Sequence, residues 1–445
     1  MKTCIKFIVA LCGLAGVAEM SRAQNWVQLT PVSGNAPAPR VNAAAIYDSL
    51  NHRLVIFGGK TAAGDVNDVW AFDLRNNAWS NLTPISGAMP APRFTANGVY
   101  NVAKQQMIIW AGQGSTFFND VWAFDLNAKS WSPFNPPNPQ PNIRYGTAAV
   151  FDPKTKELVT FAGFTDAGRF DDTWRFNVNT GTWKEVSPAA HPEKRCLHTA
   201  SYDALKHRMI IYGGQTNGPR GDIWSFDLVT NTWKDLTPAT SPAGRWFPTN
   251  IFDTANNRVI IFGGNLGASQ VNETWAFNLA NNSWQQLSPS GTAPAAREGA
   301  TAIYIRQENR MVVFGGRGGT FYNDVWSLNN LSPTTTVENN SGRERPATFQ
   351  LLGNYPNPFS ANGAASNPET AIAFETSTST HVRLQIYNVQ GQLIKNLLDG
   401  NIAAGQHQRL WNGTNELGVK VAAGVYFSVL RSSAATVSRK LVLME

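Results

Sequence analysis

Cysteine is scarce in this chain of 445 residues: there are three, and Cys4 and Cys12 both fall inside an N-terminal apolar stretch. Once a leader is removed, Cys196 stands alone, so no intrachain disulfide can form and stability must come from packing. Charge is thin as well. Charged residues make up 15% of the chain, and the formal net charge of +7 is spread without a dense basic run, which excludes a nucleic-acid footprint. After Val17 no apolar run is long enough to cross a bilayer as a helix. A phosphate loop, a zinc-type cysteine cluster and a Gly-x-Ser-x-Gly elbow are all missing, so the commonest signatures of nucleotide, structural-zinc and hydrolase chemistry are absent. Helical periodicity is missing from the body of the chain.

What is present begins with a leader. Lys2 and Lys6 precede the apolar run from Phe7 to Val17, and Ser21-Arg22-Ala23 supplies small residues at the minus-three and minus-one positions. This predicts a signal peptide, residues 1–23, cleaved after Ala23. The whole chain is 42% hydrophobic, a globular composition long enough for two domains.

Twelve of the fifteen tryptophans recur in a unit of about fifty residues. One series is Trp70, Trp122, Trp174, Trp224, Trp275 and Trp326. The second, nine residues later each time, is Trp79, Trp131, Trp183, Trp233 and Trp284. Thr335 stands where a sixth member should, whereas Trp26 has the right phase ahead of Trp79. The last unit therefore borrows its missing strand from the start of the chain. Within each unit an arginine opens a β-rich run, a turn follows, and a second apolar run ends in Gly-Gly or Ala-Gly. In unit one Arg40 leads Val41 to Tyr47, Asp48 to His52 turn, and Leu54 to Phe57 run into Gly58-Gly59. Asp68-Val69-Trp70-Ala71-Phe72-Asp73 and Ala78-Trp79-Ser80-Asn81-Leu82 supply two further strands. Four strands per unit and six units predict an all-β, six-bladed β-propeller over residues 24–330, closed by the N-terminal strand. The Gly pair, the Trp-x-Phe-Asp of strand three and the Trp of strand four resemble the Kelch repeat.

After Asn330 the tryptophan register stops. Residues 331–348 are polar and read as a linker, and alternating strands return over residues 349–445: Ala371–Phe374, Val382–Tyr387, Gln408–Trp411, Gly424–Leu430 and Ser438–Leu443. A small Ig- or fibronectin-like β-sandwich suits them. Asn354-Tyr355-Pro356-Asn357-Pro358-Phe359, Tyr387-Asn388-Val389-Gln390-Gly391-Gln392, Gly424-Val425-Tyr426-Phe427 and Arg439-Lys440-Leu441-Val442-Leu443 resemble the type A C-terminal sorting domain of the type IX secretion system, with a longer insertion at residues 360–368. The resemblance implies Sec export to the periplasm, then delivery by the type IX machinery to the outer surface or the medium of a Gram-negative bacterium. An ordinary fibronectin-like adhesion module is the alternative.

Two constellations are candidates for binding. Arg40, Arg93, Arg144, Arg195, Arg245 and Arg297 each precede a first strand, and would ring one mouth of the channel as an anion site. Each unit also carries an acid before its strand-three Trp, namely Asp68, Asp120, Asp172, Asp222, Glu273 and Asp324, so structural Arg-carboxylate pairs linking strands or blades are the competing expectation. The variable loops of the same face offer Phe117, Phe118, Phe170, Trp246, Phe247, Phe321 and Tyr322 together with Lys60, Arg169, Arg220 and Arg317, either to a sugar or protein partner or to loop packing.

Catalytic signals are few. Copper radical oxidases share a Kelch-like propeller, but their chemistry needs a Cys-linked Tyr, a second Tyr and paired His ligands. Here Cys196 has only His191 and His198 near it in sequence, and a packed thiol and a hydrogen-bonded histidine are favoured over a metal pair. Periplasmic six-bladed Kelch proteins that interconvert sialic acid anomers are an enzymatic alternative by fold and compartment, without matching catalytic residues. A passive extracellular spacer is a third reading. The balance favours a secreted or surface-exposed propeller that recognises an extracellular protein or glycan, with no cofactor, no metal, no nucleic-acid partner and no transmembrane segment in the mature chain.

Overall fold

The structure, a computed structural model, describes residues 23–31, 35–331, 349–355, 357, 359–360, 369–376, 379–403, 405–432 and 436–444. The leader up to residue 22, the linker from 332 to 348 and the insertion from 361 to 368 lie outside the described residues. Contacts divide the chain into two units, Met1–Thr336 and Val337–Glu445.

The first unit consists of six four-stranded antiparallel sheets. Blade one is built from Ala44–Asp48, Arg53–Thr61, Gly64–Asp73 and Ala78–Asn81, paired in that order from the axis outward. Blade six takes Thr301–Ile305, Arg310–Phe314 and Val325–Asn329 from the end of the repeat region, and its fourth strand is Asn25–Leu29. Trp26 sits opposite Leu328 and is buried against Phe262. The first strands of neighbouring blades touch all the way around, with Ala44–Asp48 against Thr301–Ile305 completing the circle. The ring is therefore a closed six-bladed propeller whose last blade is completed by the N-terminal strand, as the tryptophan phase requires.

Its core lies between blades. Phe57, Phe124 and Trp131 form one cluster between blades one and two, and Phe161, Phe226 and Trp233 form its counterpart between blades three and four. A strand-four Trp meets the strand-three Phe of its own blade and a strand-two aromatic of the preceding blade: Trp79 touches both Phe72 and Phe314. Aromatic contact at this spacing adds to area burial and fixes the blade-to-blade angle.

The first strands begin later than the sequence suggests. Arg40 and its counterparts stand four residues ahead of the strand, because the second residue after each arginine turns left-handed, as Asn42 does at φ 56° and Thr95 at φ 54°. The glycine pairs behave as expected. Gly59 has φ 103°, and a Cβ there would lie 3.0 Å from the Val41 carbonyl oxygen. Ala111 and Ala162 adopt φ 60° in the first position of the motif, leaving the more demanding second position to glycine.

The second unit is a sandwich of a three-stranded sheet (Phe349–Tyr355, Thr370–Thr376, Gly405–Trp411) and a five-stranded sheet (Phe359–Ser360, Thr380–Asn388, Leu393–Ile402, Gly424–Arg431, Thr436–Met444). Ile372, Phe374, Leu384, Trp411, Leu430 and Leu441 fill its centre. Leu393–Ile402 is the strand the sequence conceals, since Lys395, Asn396 and Asp399 interrupt its alternation at a sheet edge.

Candidate binding face

The six arginines do not open to the channel. Each side chain is almost fully buried, and none lines the axial cavity. Arg40 donates from Nη1 and Nη2 to the two carboxylate oxygens of Asp68 at 2.6 and 2.9 Å, from Nη1 to the Gly58 carbonyl at 3.0 Å, and from Nε to the Ala38 carbonyl at 3.0 Å. Arg93, Arg144, Arg195 and Arg297 repeat the scheme on Asp120, Asp172, Asp222 and Asp324. Arg245 binds Glu273 through Nη2 alone at 2.8 Å. The carboxylates also accept the strand-three indole, Trp70 Nε1 donating to Asp68 at 2.7 Å and Trp326 Nε1 to Asp324 at 2.7 Å. Arginine, acid and tryptophan are thus one unit inside each blade, tying the entry loop to strands two and three. Blades are joined by main chain, Gly59 N–H donating to the Arg93 carbonyl and Arg93 N–H to that of Val66, and by other side chains, as where Tyr100 donates to Asp48 at 3.1 Å.

Burial alone would raise the Asp222 carboxyl, but the Arg195 guanidinium and the Trp224 indole outweigh it and hold the group below the ordinary carboxylate value. Glu273 shifts the same way, through Arg245 and Trp275 against burial. A charge satisfied in this manner is not offered to a ligand.

Three of the loop aromatics belong to the same scaffold. Phe118 lies over the Arg93 guanidinium at 3.8 Å, Phe170 over Arg144 at 4.0 Å and Tyr322 over Arg297 at 4.3 Å. Each stands two residues before the acid and covers the ion pair like a lid. Trp246 is half-buried and bridges by main chain to Asn265, and Phe321 lies 5.9 Å from the Arg317 guanidinium.

Phe117 is different. It stacks on Tyr145, with centroids 5.7 Å apart and planes inclined by 21°, and Tyr145 also meets Phe94 at 6.2 Å and Phe164 at 5.6 Å. All four rings are half-buried. Burial pushes the Tyr145 phenol up, so it stays protonated as a hydrogen-bond donor. Lys60 lies 5.1 Å from the Phe94 ring and Arg169 lies 5.7 Å from that of Phe164. Among the described residues neither cation has a carboxylate within ion-pair distance.

The placement follows from two long hairpins. In blades one and three strands two and three have 9 and 10 residues, against 5 and 5 in blade two between them, so Lys60 and Arg169 are carried on extended strand arms beside the loop of Phe117. Phe94 and Tyr145 escape notice in the sequence, because the residue after each arginine is Val41, Phe94, Tyr145, Cys196, Trp246 or Glu298, with no common type, and Phe164 because the residue after the glycine motif is elsewhere Lys60, Gln113, Gln215, Asn265 or Arg317. Their shared feature is position: each bridges to the residue after its blade's glycine motif, as Tyr145 does to Phe164.

The opposite part of the rim also carries polar groups. Buried Glu298 accepts from Asn265 Nδ2 at 2.9 Å and from Arg317 at 3.2 Å. Cys196 is buried and free, and its Sγ approaches the Gln215 side-chain oxygen at 3.8 Å. His198 packs edge-on against Phe161 at 5.7 Å, and its ring nitrogens find no partner among the described residues, unlike the hydrogen-bonded histidine expected. Among the described residues no group of three or more His, Cys, Asp or Glu side chains could hold a metal ion.

The repeated glycine turn, the Asp-x-Trp clasp and the closed ring coincide with a family model, the KLHDC2/KLHL20/DRC7 Kelch-repeats domain, which matches residues 17–194 and 187–350. The chain belongs to the Kelch-repeat family. Its Kelch propeller is similar to Acyl-CoA-binding domain-containing protein 6 of Oryza sativa subsp. japonica, 28% identical over 215 residues, which cover 45% of this chain and 31% of that protein. It is also similar to Kelch domain-containing protein 3 of Bos taurus (28% over 193 residues, 40% of this chain and 49% of the relative). A third relative is the Leucine-zipper-like transcriptional regulator 1 homolog of Drosophila melanogaster (26% over 202 residues, 42% and 20%). The chain spans between a fifth and a half of the length of these curated relatives. Beyond the Kelch propeller, residues 361–435 match the FlgD Ig-like domain.

Proposed function

We propose that the Kelch propeller is a protein-binding module whose contact surface is the aromatic cluster Phe94, Phe117, Tyr145 and Phe164, with Lys60 and Arg169 beside it. The observation that carries this reading is the combination of half-buried stacked rings with two cations free of ion pairs, on a face where the arginines are already satisfied. Aromatic rings on a rigid rim give large contact area at low entropic cost, and interface energy concentrates in such side chains. The fitting partner is a protein segment that presents an apolar or aromatic side chain next to a carboxylate.

The address is proposed with it. The leader-like N-terminus and the sorting-domain motifs of residues 349–445 support Sec export followed by type IX delivery to the cell surface or medium. Removal of residues 349–445 is expected to leave the propeller in the periplasm; its normal appearance outside the cell would overturn this route.

The binding reading is tested by screening the secreted protein against extracellular proteins and glycans, with Phe117→Ala and Tyr145→Ala compared with Leu205→Ala, an exposed hairpin residue at the opposite end of the blades. A protein ligand that loses about tenfold or more in affinity with the first two substitutions and nothing with the third is expected. Glycans binding in place of proteins, or indifference to Phe117 and Tyr145, would refute it.

A further inference from the structure

The first strands of the six blades enclose a cavity of about 280 Å³ along the ring axis. Its wall is largely small and uncharged: alanines from several blades alternate with Asn97, Thr199, Asn250 and Thr301, Leu197, His198 and Phe247 add larger side chains, and no aspartate, glutamate, lysine or arginine takes part. That size stands at the lower end of ligand cavities, and apolar walls with a few polar groups are their usual make-up.

Two features set this cavity apart from a plain solvent column. The first is its ring of left-handed residues. Asn42, Thr95, Gly146, Leu197, Phe247 and Gly299 occupy equivalent places in the six blades, all at φ between 50° and 64°. They are linked by main chain, Phe247 N–H donating to Leu197 and Gly299 N–H to Phe247. Glycine serves this place in two blades, yet blade five puts a phenylalanine there, in a backbone region that bulky side chains avoid. Strained residues of this kind gather at ligand sites. The second is unused hydrogen-bonding capacity. Asn250 accepts from Thr199 Oγ1 at 2.5 Å, but its Nδ2 has no partner among the described residues, and neither has Asn97 Nδ2 or Thr95 Oγ1. Both asparagines line the cavity, and the terminal torsion of an asparagine is soft.

We propose that the channel is a binding site for one small uncharged polyhydroxylated molecule, of monosaccharide or cyclitol size, seated against Phe247 and hydrogen-bonded by Asn97, Thr199, Asn250 and Thr301. Hydroxyl groups both donate and accept, which suits a wall of amides and threonine hydroxyls, while the ring face of Phe247 suits the C–H face of a sugar. A charged ligand would be desolvated with no opposite charge to meet it. His198, the ionisable residue in the lining, is held neutral, since burial pushes its pKa down to about 3.

The test is titration calorimetry on the full secreted protein with glucose, myo-inositol and glucuronate as probes, for the native chain and for Phe247→Asn, Asn250→Leu and Phe117→Ala. Asparagine tolerates the left-handed backbone, so Phe247→Asn should melt no lower than the native chain. Saturable binding of a neutral probe at one per chain is expected, at least about tenfold weaker for glucuronate and weakened by at least about tenfold in the Phe247 and Asn250 variants. Phe117→Ala should leave it unchanged, which separates this site from the protein-binding rim. No saturation by either neutral probe, equal binding of glucuronate, or binding indifferent to both channel substitutions would overturn the proposal and leave a channel of water.

Discussion

Gly316 donates its main-chain N–H to the carbonyl oxygen of Arg40 at 2.8 Å, joining blade six to blade one. The same bond runs from Gly59 to Arg93, Gly112 to Arg144, Gly163 to Arg195, Gly214 to Arg245 and Gly264 to Arg297, so the ring is fastened by one repeated main-chain contact. Gly316 has φ 97°, and a Cβ there would stand 2.9 Å from the Glu298 oxygen. Gly316→Ala should therefore cost about 1–3 kcal/mol in chemical denaturation. Gly319→Ala, where a Cβ meets open space, should cost less than about 1 kcal/mol.

The buried ion pairs make a second expectation. Arg195 is fully buried and Asp222 is 17% exposed. Arg195→Met leaves the acid without its partner and should destabilise the propeller by about 3–5 kcal/mol, read from the urea midpoint. A change below about 1 kcal/mol would mean that the clasp contributes little.

Acid stability follows with a definite sign. Asp222, Glu273 and Asp152 all have folded-state values below their ordinary ones. For Asp152 burial pulls upward, and the His207, Thr155 and Lys154 hydrogen bonds outweigh it. Carboxylates depressed in this way give stability that is full above their unfolded values, near 3.8 for aspartate and 4.5 for glutamate, and is lost as pH falls through the lower folded values. The melting temperature should fall steeply below about pH 4, and Asp222→Asn should flatten that dependence while lowering the plateau.

Ring closure can be tested at Trp26. It is 3% exposed within blade six, and Trp26→Ala should cost about 3–5 kcal/mol, with deletion of residues 24–30 lowering the melting temperature of the whole propeller. An unchanged melting temperature in the deletion would show that the strand is dispensable.

Neighbouring phenylalanines should separate stability from binding. Phe118→Ala uncovers Arg93 and should lower stability by about 1–2 kcal/mol, with partner affinity preserved. Phe117→Ala should do the reverse, and matched effects from both would merge the two roles.

Much of the fold was legible because its physics is repetitive. A tryptophan every fifty residues or so needs an equivalent pocket in every blade, and the phase of Trp26 told which blade lacked a strand. The acid two residues before each strand-three tryptophan was visible too, and so was the choice between an open arginine ring and structural pairs. That choice needed distances. Sequence spacing alone does not say whether Arg93 and Asp120, twenty-seven residues apart, meet within a blade or face a channel.

The rim proposed for binding was the least legible part. Phe117 and Phe118 are adjacent in the chain, yet one caps an arginine and the other stacks on Tyr145 of the next blade. Alternation along an extended backbone sends successive side chains to opposite sides, and only the curvature of the ring brings Phe94, Phe117, Tyr145 and Phe164 together. The sequence by itself determined the number of blades, their closure and the second β-domain, because those follow from period and pattern. Which charges are spent on the scaffold, which rings gather on the rim and what the axis encloses were decided by the tertiary structure, because they depend on contacts between residues far apart in the chain.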